Sequence, residues 1–324
     1  MKPIIRLLKA ALGAALLTAA ATALAQGYPN RPVKVVVPWP PGQATDLAAR
    51  IVADKLSQAF GQPFVADNKP GAGGSIGTDY VSKAAPDGYT LLAASSGPVS
   101  IMPNVQKVPY DPLTQLQPVS LIALAPFALV TASNFPAANI KEFITLVKAN
   151  PDKYTFASSG TGATAHLISV YFNTMADLNA RHIPYKGSAP ALTDVISGQV
   201  AYTFETVASV IGHVKSGRLK AYGVSFAKRS SALPEVPTIA EAGVPGYDIG
   251  AWIGFEAPAG LPKDIAQRLA SEIQKTMQSP YVKEKYLALG MDTAWNTPDE
   301  MSAMLKKEQE RYGVIVKKAN VKVD

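Results

Sequence analysis

Gly73-Gly74-Ser75-Ile76-Gly77 has the G-x-S-x-G spacing that lifts a nucleophilic serine out of a tight strand-to-helix turn, and His166, His182 and His213 follow as candidate bases. That chemistry needs a strand running straight into the first glycine. The polar run Asp67–Gly74 (DNKPGAGG) intervenes, so Ser75 reads better as a loop-and-cap serine, and an exported serine hydrolase is the remoter alternative. Gly160-x-Gly162-x-x-Ala165 has dinucleotide spacing at a strand-to-helix turn. The acidic residue that would hold a ribose about 20 residues on is missing, since Asp177 comes too early and Asp194 too late. What survives is the physical core of that motif: open backbone N–H groups and a positive helix end, suited to a carboxylate as much as to a phosphate. The three histidines are 16 and 31 residues apart with no paired carboxylate, so no metal and no cofactor is called for. His166 stands apart from the other two, being in the first turns of a glycine-headed helix.

These residues are placed by strands that end in small, shaped loops. Val33–Val37 is an apolar run broken only by Lys34, which marks a buried parallel strand. Pro38, Pro40, Pro41 and Gly42 then forbid ladder or helix, and Trp39 rides on the loop they form, either lining a ligand cleft or covering a domain edge. Thr45 or Asp46 is expected to cap the next helix, whose apolar positions are Leu47, Ile51, Val52, Leu56 and Phe60. Further strands are expected at Pro63–Ala66 and Thr90–Ala94, the latter ending in Ser95-Ser96-Gly97-Pro98. Val119–Leu124 and Phe127–Thr131, with Pro126 between them, suit a crossing between domains. A second strand-helix series follows: Tyr154–Ala157 into Ser158-Ser159-Gly160-Thr161-Gly162-Ala163, His182–Pro184 into Lys186-Gly187-Ser188, then Val200–Phe204 and Leu219–Val224. Loop signals run from Lys228 to Gly246, and Trp252–Ala257 is expected to return to the first domain. The remainder is helical, with a capping box at Thr297-Pro298-Asp299-Glu300.

Composition narrows the class. Residues 1–25 carry Lys2, Arg6 and Lys9 before an Ala-rich apolar run ending Ala23-Leu24-Ala25, the pattern of a cleaved secretory signal. Without them the net charge falls from +7 to +4, 28 basic against 24 acidic residues. So mild an excess in an exported chain argues for small acidic solutes and against nucleic acid. Cysteine is absent, which excludes disulfides, thiol catalysis and a lipid anchor at a processed N-terminal cysteine. A freely diffusing exported protein points to a periplasm, and a monomer is expected.

Several motifs in order carry a family resemblance: Pro38-Trp39-Pro40-Pro41-Gly42-x-x-Thr45-Asp46, Asn68-Lys69-Pro70-Gly71-Ala72-Gly73-Gly74, Ala85-Pro86-Asp87-Gly88-Tyr89-Thr90-Leu91-Leu92, Pro184-Tyr185-Lys186-Gly187 and Leu233-Pro234-x-Val236-Pro237-Thr238. Over the whole mature chain the sequence resembles the Bug-type substrate-binding proteins of tripartite tricarboxylate transporters. The resemblance implies a non-enzymatic periplasmic receptor that closes around a carboxylate and delivers it to a membrane permease. A same-fold receptor that presents its ligand to a membrane sensor is the nearer alternative. The expected fold is α/β, type II periplasmic-binding-protein-like, with domain I from residues 26–125 and 252–324, domain II from 126–251, and hinge crossings near Pro126 and Trp252.

In such relatives backbone amides and small hydroxyls hold the carboxylate. Carried onto this chain, the positions are Trp39, Gly42, Gln43, Ala44, Thr45 and Asp46 in the first loop, and Ser95, Ser96 and Gly97 in the second. Ser158, Ser159, Gly160, Thr161, Gly162 and Ala163 serve from the other domain, and His166, in the first turns of the helix they head, is a further ligand-binding candidate. Lys186, Gly187, Glu205 and Thr206 are second-rank contributors. Relatives commonly have a glycine run where this chain has Gln43-Ala44, and Asp where it has Glu205. Trp39 with Gln43 would suit a flat ring, which makes an aromatic dicarboxylate such as terephthalate a candidate ligand.

Overall fold

The computed structural model describes residues 27–151 and 153–319. The expected signal segment lies outside the described residues. Strand β1 (Val33–Val37) is buried on both faces, Lys34 excepted, and lies parallel between β2 (Phe64–Asn68) and β3 (Thr90–Ser95). Helix α1 (Ala44–Phe60) turns back from its end and packs Ala48, Ala49, Val52 and Leu56 into the core. It stops at Gly61, whose left-handed φ of 68° lets its N–H cap Ser57 O. Helix α2 (Ser75–Ser82) follows the glycine-rich loop, and a π-helical turn (Gly97–Ile101) running into α3 (Met102–Val105) follows β3. Strand β10 (Ala251–Pro258) is inserted antiparallel between β3 and β4 (Leu116–Ala125), and β11 (Asp292–Thr293) closes the edge, giving the order β11-β4-β10-β3-β1-β2.

A second sheet has the order β7-β6-β8-β5-β9, from β5 (Phe127–Ala132), β6 (Thr155–Ser158), β7 (Arg181–Pro184), β8 (Tyr202–Thr206) and β9 (Leu219–Val224). Strand β6 runs parallel to β7 and β8, so the loops at their carboxyl ends share one edge. Helices α4 (Ile140–Ala149), α5 (Thr164–Met175), α6 (Ser188–Ile196) and α7 (Val207–Lys215) cover the faces. One helical turn, α8 (Ile239–Ala242), interrupts the stretch expected to be all loop. Its capping box, Thr238 with Glu241, satisfies the first N–H groups and holds a turn too short for hydrophobic periodicity to reveal.

The chain passes between the sheets at Pro126 and again between β9 and β10. Ala125 pairs with Ala251, while Phe127 donates its N–H to Ser225 Oγ (3.0 Å) and accepts from Ser225 N (2.8 Å), so the two crossings are laced together. Helices α9 (Lys263–Gln278) and α10 (Pro280–Ala288) pack on the first sheet. Helix α11 (Pro298–Ala319) serves both cores: Met301 and Leu305 pack with Trp252, whereas Tyr312, Ile315 and Val316 lie in the second. Thr297 and Glu300 form the expected capping box at its start. Between its halves Glu308 accepts from Ser100 Oγ and Trp252 Nε1. No described helix is long and apolar enough to cross a membrane.

Glu256, opposite Leu92 on β3, is fully buried and neither carboxyl oxygen has a partner among the described residues. Burial raises its carboxyl to about 8. The folded chain therefore holds a proton that the unfolded chain releases above its ordinary value of 4.5, so stability falls as pH rises through that window. Glu205 and Glu308, raised to about 7, act in the same direction lower down. Urea unfolding should show a loss on the order of 1 kcal/mol between pH 7 and pH 8, which Glu256→Gln reduces to the part that Glu205 and Glu308 contribute. An unchanged slope in that variant would show that Glu256 does not carry the proton.

Candidate functional site

A cavity of about 450 Å³ lies between the two lobes. The six-stranded lobe supplies Trp39, Gly73, Gly97, Ile101 and Met102 to its walls. Phe127, the run Ser159–Ala165, Ser188, Glu205 and Thr206 come from the five-stranded lobe. Three helix N-termini meet there: α5 with Thr164 and Ala165, α6 with its first residue Ser188, and α7 with its N-cap Thr206. Neither α5 nor α6 has a side-chain cap, so their first N–H groups remain available. Among the described residues no Lys or Arg lines the cavity. What it offers an anion is backbone N–H groups and helix ends.

The loop entering α5 is held from behind. Gly160 and Gly162 have φ of 144° and 76°, conformations that L side chains rarely adopt. Gly162 N donates to His166 Nδ1 at 3.1 Å, so His166 carries its proton on Nε2. His166 stacks on His182 with ring centroids 3.8 Å apart, and Phe156 stacks on His182 in turn. Ser158 Oγ lies 2.7 Å from His182 Nε2 and Gly187 N donates to Ser159 O. Ser158 is fully buried, so this Ser–His contact braces the loop. Burial lowers both imidazoles to about 4, with His182 adding to the effect on His166.

On the opposite wall, Trp39 donates Nε1–H to Ser95 Oγ at 2.9 Å and its ring closes on Gly97, where a Cβ would come within 3.2 Å of Cζ2. Asn68 Nδ2 ties down Trp39 O. Thr45 and Asp46 do not cap α1 as expected. The cap position is Gln43, extended at φ −75° and ψ 161° by the proline-fixed turn, and Asp46 lies in the first turn. Its buried carboxylate reaches back to accept Gly42 N (2.8 Å) and also takes Arg50 and Asn68. Burial pushes that carboxyl up, but these three hydrogen bonds outweigh it and hold it below its ordinary value.

Of the residues singled out from sequence, Trp39, Gly97, Ser159, Gly160, Thr161, Gly162, Ala163, Glu205 and Thr206 line the cavity. Gly42, Gln43 and Ala44 are exposed outside its walls, and so is Lys186. Thr45, Asp46, Ser95, Ser96, Ser158 and His166 are buried behind the walls, and Gly187 is half-buried. Gly73, Ile101, Met102, Phe127, Thr164, Ala165 and Ser188 also line it and were not among the expected ligand contacts. Phe127 follows Pro126 and Ser188 follows Gly187, so adjacency to a crossing or glycine loop was the available signal. The serine-hydrolase geometry does not form: Ser75 is buried at the start of α2, 3.3 Å from Tyr110 Oη, with no histidine hydrogen-bonded to it.

Glu205 is the one ionisable side chain in the walls among the described residues. It is 2 % exposed, its Oε2 accepts from Ser188 Oγ (2.9 Å), and its Oε1 has no partner among the described residues. Burial raises it to about 7, against the lowering by Ser188 and the Thr206 backbone. A larger cavity of about 630 Å³ lies at the waist, lined by Leu124, Phe226, Trp252 and Met304 among others. It lacks the converging helix N-termini that distinguish the smaller one.

Two α/β lobes joined by paired crossings, with a cavity at strand carboxyl ends, define a solute-binding fold. Residues 48–321 match the model of the tripartite tricarboxylate transporter family receptor, and the chain belongs to that family. It is 37% identical over 309 residues to protein BugT of Bordetella pertussis, covering 94% of each chain. Among solved structures it resembles R. palustris Rpa4515 with adipate, at 32% identity and a TM-score of 0.74, covering 91% of this chain and 99% of that one. It also resembles MatC (Rpa3494) from Rhodopseudomonas palustris with bound malate, at 29% identity and a TM-score of 0.69, covering 89% and 100%.

Because both imidazoles are held neutral, the unfolded chain binds protons between about 6.5 and about 4 that the folded chain refuses. Their contribution to stability is complete above pH 6.5 and is lost as pH falls through that window. Over the same range Glu205, Glu256 and Glu308 gain stability, so only the difference between variants isolates the histidines: going from pH 7 to pH 5 should shift the melting temperature more favourably in His166→Asn/His182→Asn, whose amide at position 166 retains an acceptor for Gly162 N–H, than in the wild type. An equal shift in both would place the acid sensitivity elsewhere.

Proposed function

We propose that this chain is a periplasmic receptor that binds a small carboxylate in the cavity between its lobes and passes it to the membrane permease of a tripartite tricarboxylate-type transporter. The observation that carries this is the convergence of three helix N-termini on a cavity without a cationic side chain. A carboxylate fits that field, and backbone N–H groups with the hydroxyls of Ser159, Thr161 and Thr164 supply donors. Each helix end contributes about 0.3–2 kcal/mol, part of the ~8 kcal/mol that micromolar affinity requires. Direct hydrogen bonds and closure about the Pro126 and β9–β10 crossings supply the rest. The carboxylates in the two related structures support the ligand class.

The finer reading is a dicarboxylate, with Trp39 offering a flat apolar wall to a ring such as terephthalate. Closure would bring the Gly42–Ala44 turn, and Gln43 on it, toward the ligand. Domain I is assigned to residues 26–125 and 252–324 and domain II to 126–251, with α11 spanning both.

Isothermal titration of unfolded and refolded mature protein against citrate, glutamate, glutarate, adipate, benzoate and terephthalate tests the proposal. Micromolar or tighter binding of at least one is expected; no heat with any would overturn the receptor reading. Trp39→Ala should weaken terephthalate about 3- to 10-fold more than adipate. Equal effects would remove the aromatic preference while leaving carboxylate binding in place.

A further inference from the structure

An anion-binding cavity walled by no cation contains one buried acid, and that combination constrains the ligand. If ionised, Glu205 would set a negative charge beside an anionic solute in a site shielded from water. Its immediate surroundings offer no counter-charge. Ser188 on α6 donates to Oε2, Thr206 contributes backbone, and the cross-strand neighbour is Ala128 on β5. None of the described ion pairs includes it: the imidazoles behind the α5 loop are held neutral, and Lys186 is exposed outside the walls. Oε1 is left buried and without a partner. A carboxylic acid whose carbonyl oxygen accepts from Ser188 has one O–H remaining, and a buried O–H needs an acceptor.

We propose, resting on the receptor reading above, that Glu205 binds as a neutral carboxylic acid and donates its O–H to a second carboxylate of the ligand. The helix ends hold the first carboxylate, and Glu205 selects dicarboxylates over monocarboxylates. In the free protein the group is raised to about 7, so near neutral pH only part of the population carries the proton. Binding a ligand acceptor stabilises the protonated form, so association takes up a proton. Affinity is then highest at low pH and falls as pH rises through the group's value.

The test is titration of adipate, glutarate and terephthalate, each against its monocarboxylate (hexanoate, pentanoate, benzoate), at pH 6, 7 and 8. Each is run in two buffers of different ionisation heat. For wild type, dicarboxylate affinity should fall about tenfold from pH 6 to pH 8, with net proton uptake. The monocarboxylates should bind more weakly with a flat profile. Glu205→Gln keeps a donor at the Oε1 position and cannot titrate, so its affinity should match wild type at pH 6 and stay constant to pH 8. Glu205→Ala should lose the preference for dicarboxylates. The proposal is overturned by a flat wild-type profile, by affinity that rises with pH, by the same pH dependence in Glu205→Gln, or by weak binding of that variant at every pH. Any of these leaves carboxylate binding itself standing. Absence of binding by all six acids would overturn this proposal, and the receptor reading falls with it if citrate and glutamate also give no heat.

Discussion

A single residue, Pro126, separates the last position of one sheet from the first of the other. Ala125 completes the ladder with Ala251, and Phe127 exchanges two hydrogen bonds with Ser225, so both crossings lie side by side at one waist. Every other relation between the lobes depends on that lacing. It puts Phe127 in the wall of the cavity one residue past the link. Helix α11 adds a third tie, with Glu308 joining the π-helical turn to Trp252 and Tyr312 seated in the second core. Gly97 and Ile101, from that same turn, reach the cavity, so the waist and the binding wall are one piece of structure.

The electrostatics of the interior follow a consistent rule. Glu205, Glu256 and Glu308 are all buried, and burial raises each carboxyl toward neutrality near pH 7. His166 and His182 are buried and held neutral from the other side. Asp46 breaks the rule because Arg50, Asn68 and the Gly42 N–H meet its charge directly. Among the described residues Glu205 is thereby left as the one group that can bring charge to the cavity, and the rest of the field there belongs to peptide dipoles. Such a field favours an anion without the long, flexible cationic side chains whose ordering would cost entropy.

The alternation of apolar runs with glycine, serine and proline loops was enough to place most strands and helices, because burial on two faces imposes continuous Val, Leu and Ala runs. Two βαβ series with a proline-marked link made two lobes readable. The loop from Ser158 to Ala163 was recognisable as a candidate anion site from its glycines and its position before a helix, and all of it but Ser158 lines the cavity. The Asp46 carboxylate illustrates the limit: a cap residue is expected at that spacing, but the proline turn moves the helix start to Ala44 and leaves Asp46 as a bracket. The one-turn helix at Ile239–Ala242 was likewise invisible, being shorter than any hydrophobic period.

Sequence by itself determined the fold class, the helix-headed loops and the absence of thiol chemistry, since these depend on local pattern and residue type. The meeting of Trp39 with Gly97, the stacking of His166 on His182, and the enclosure of Glu205 with one oxygen unpartnered were decided by tertiary structure. Each joins residues distant in the chain or depends on what packs around them. Burial, which sets the charge a carboxyl carries, exists only once the whole chain has closed around it.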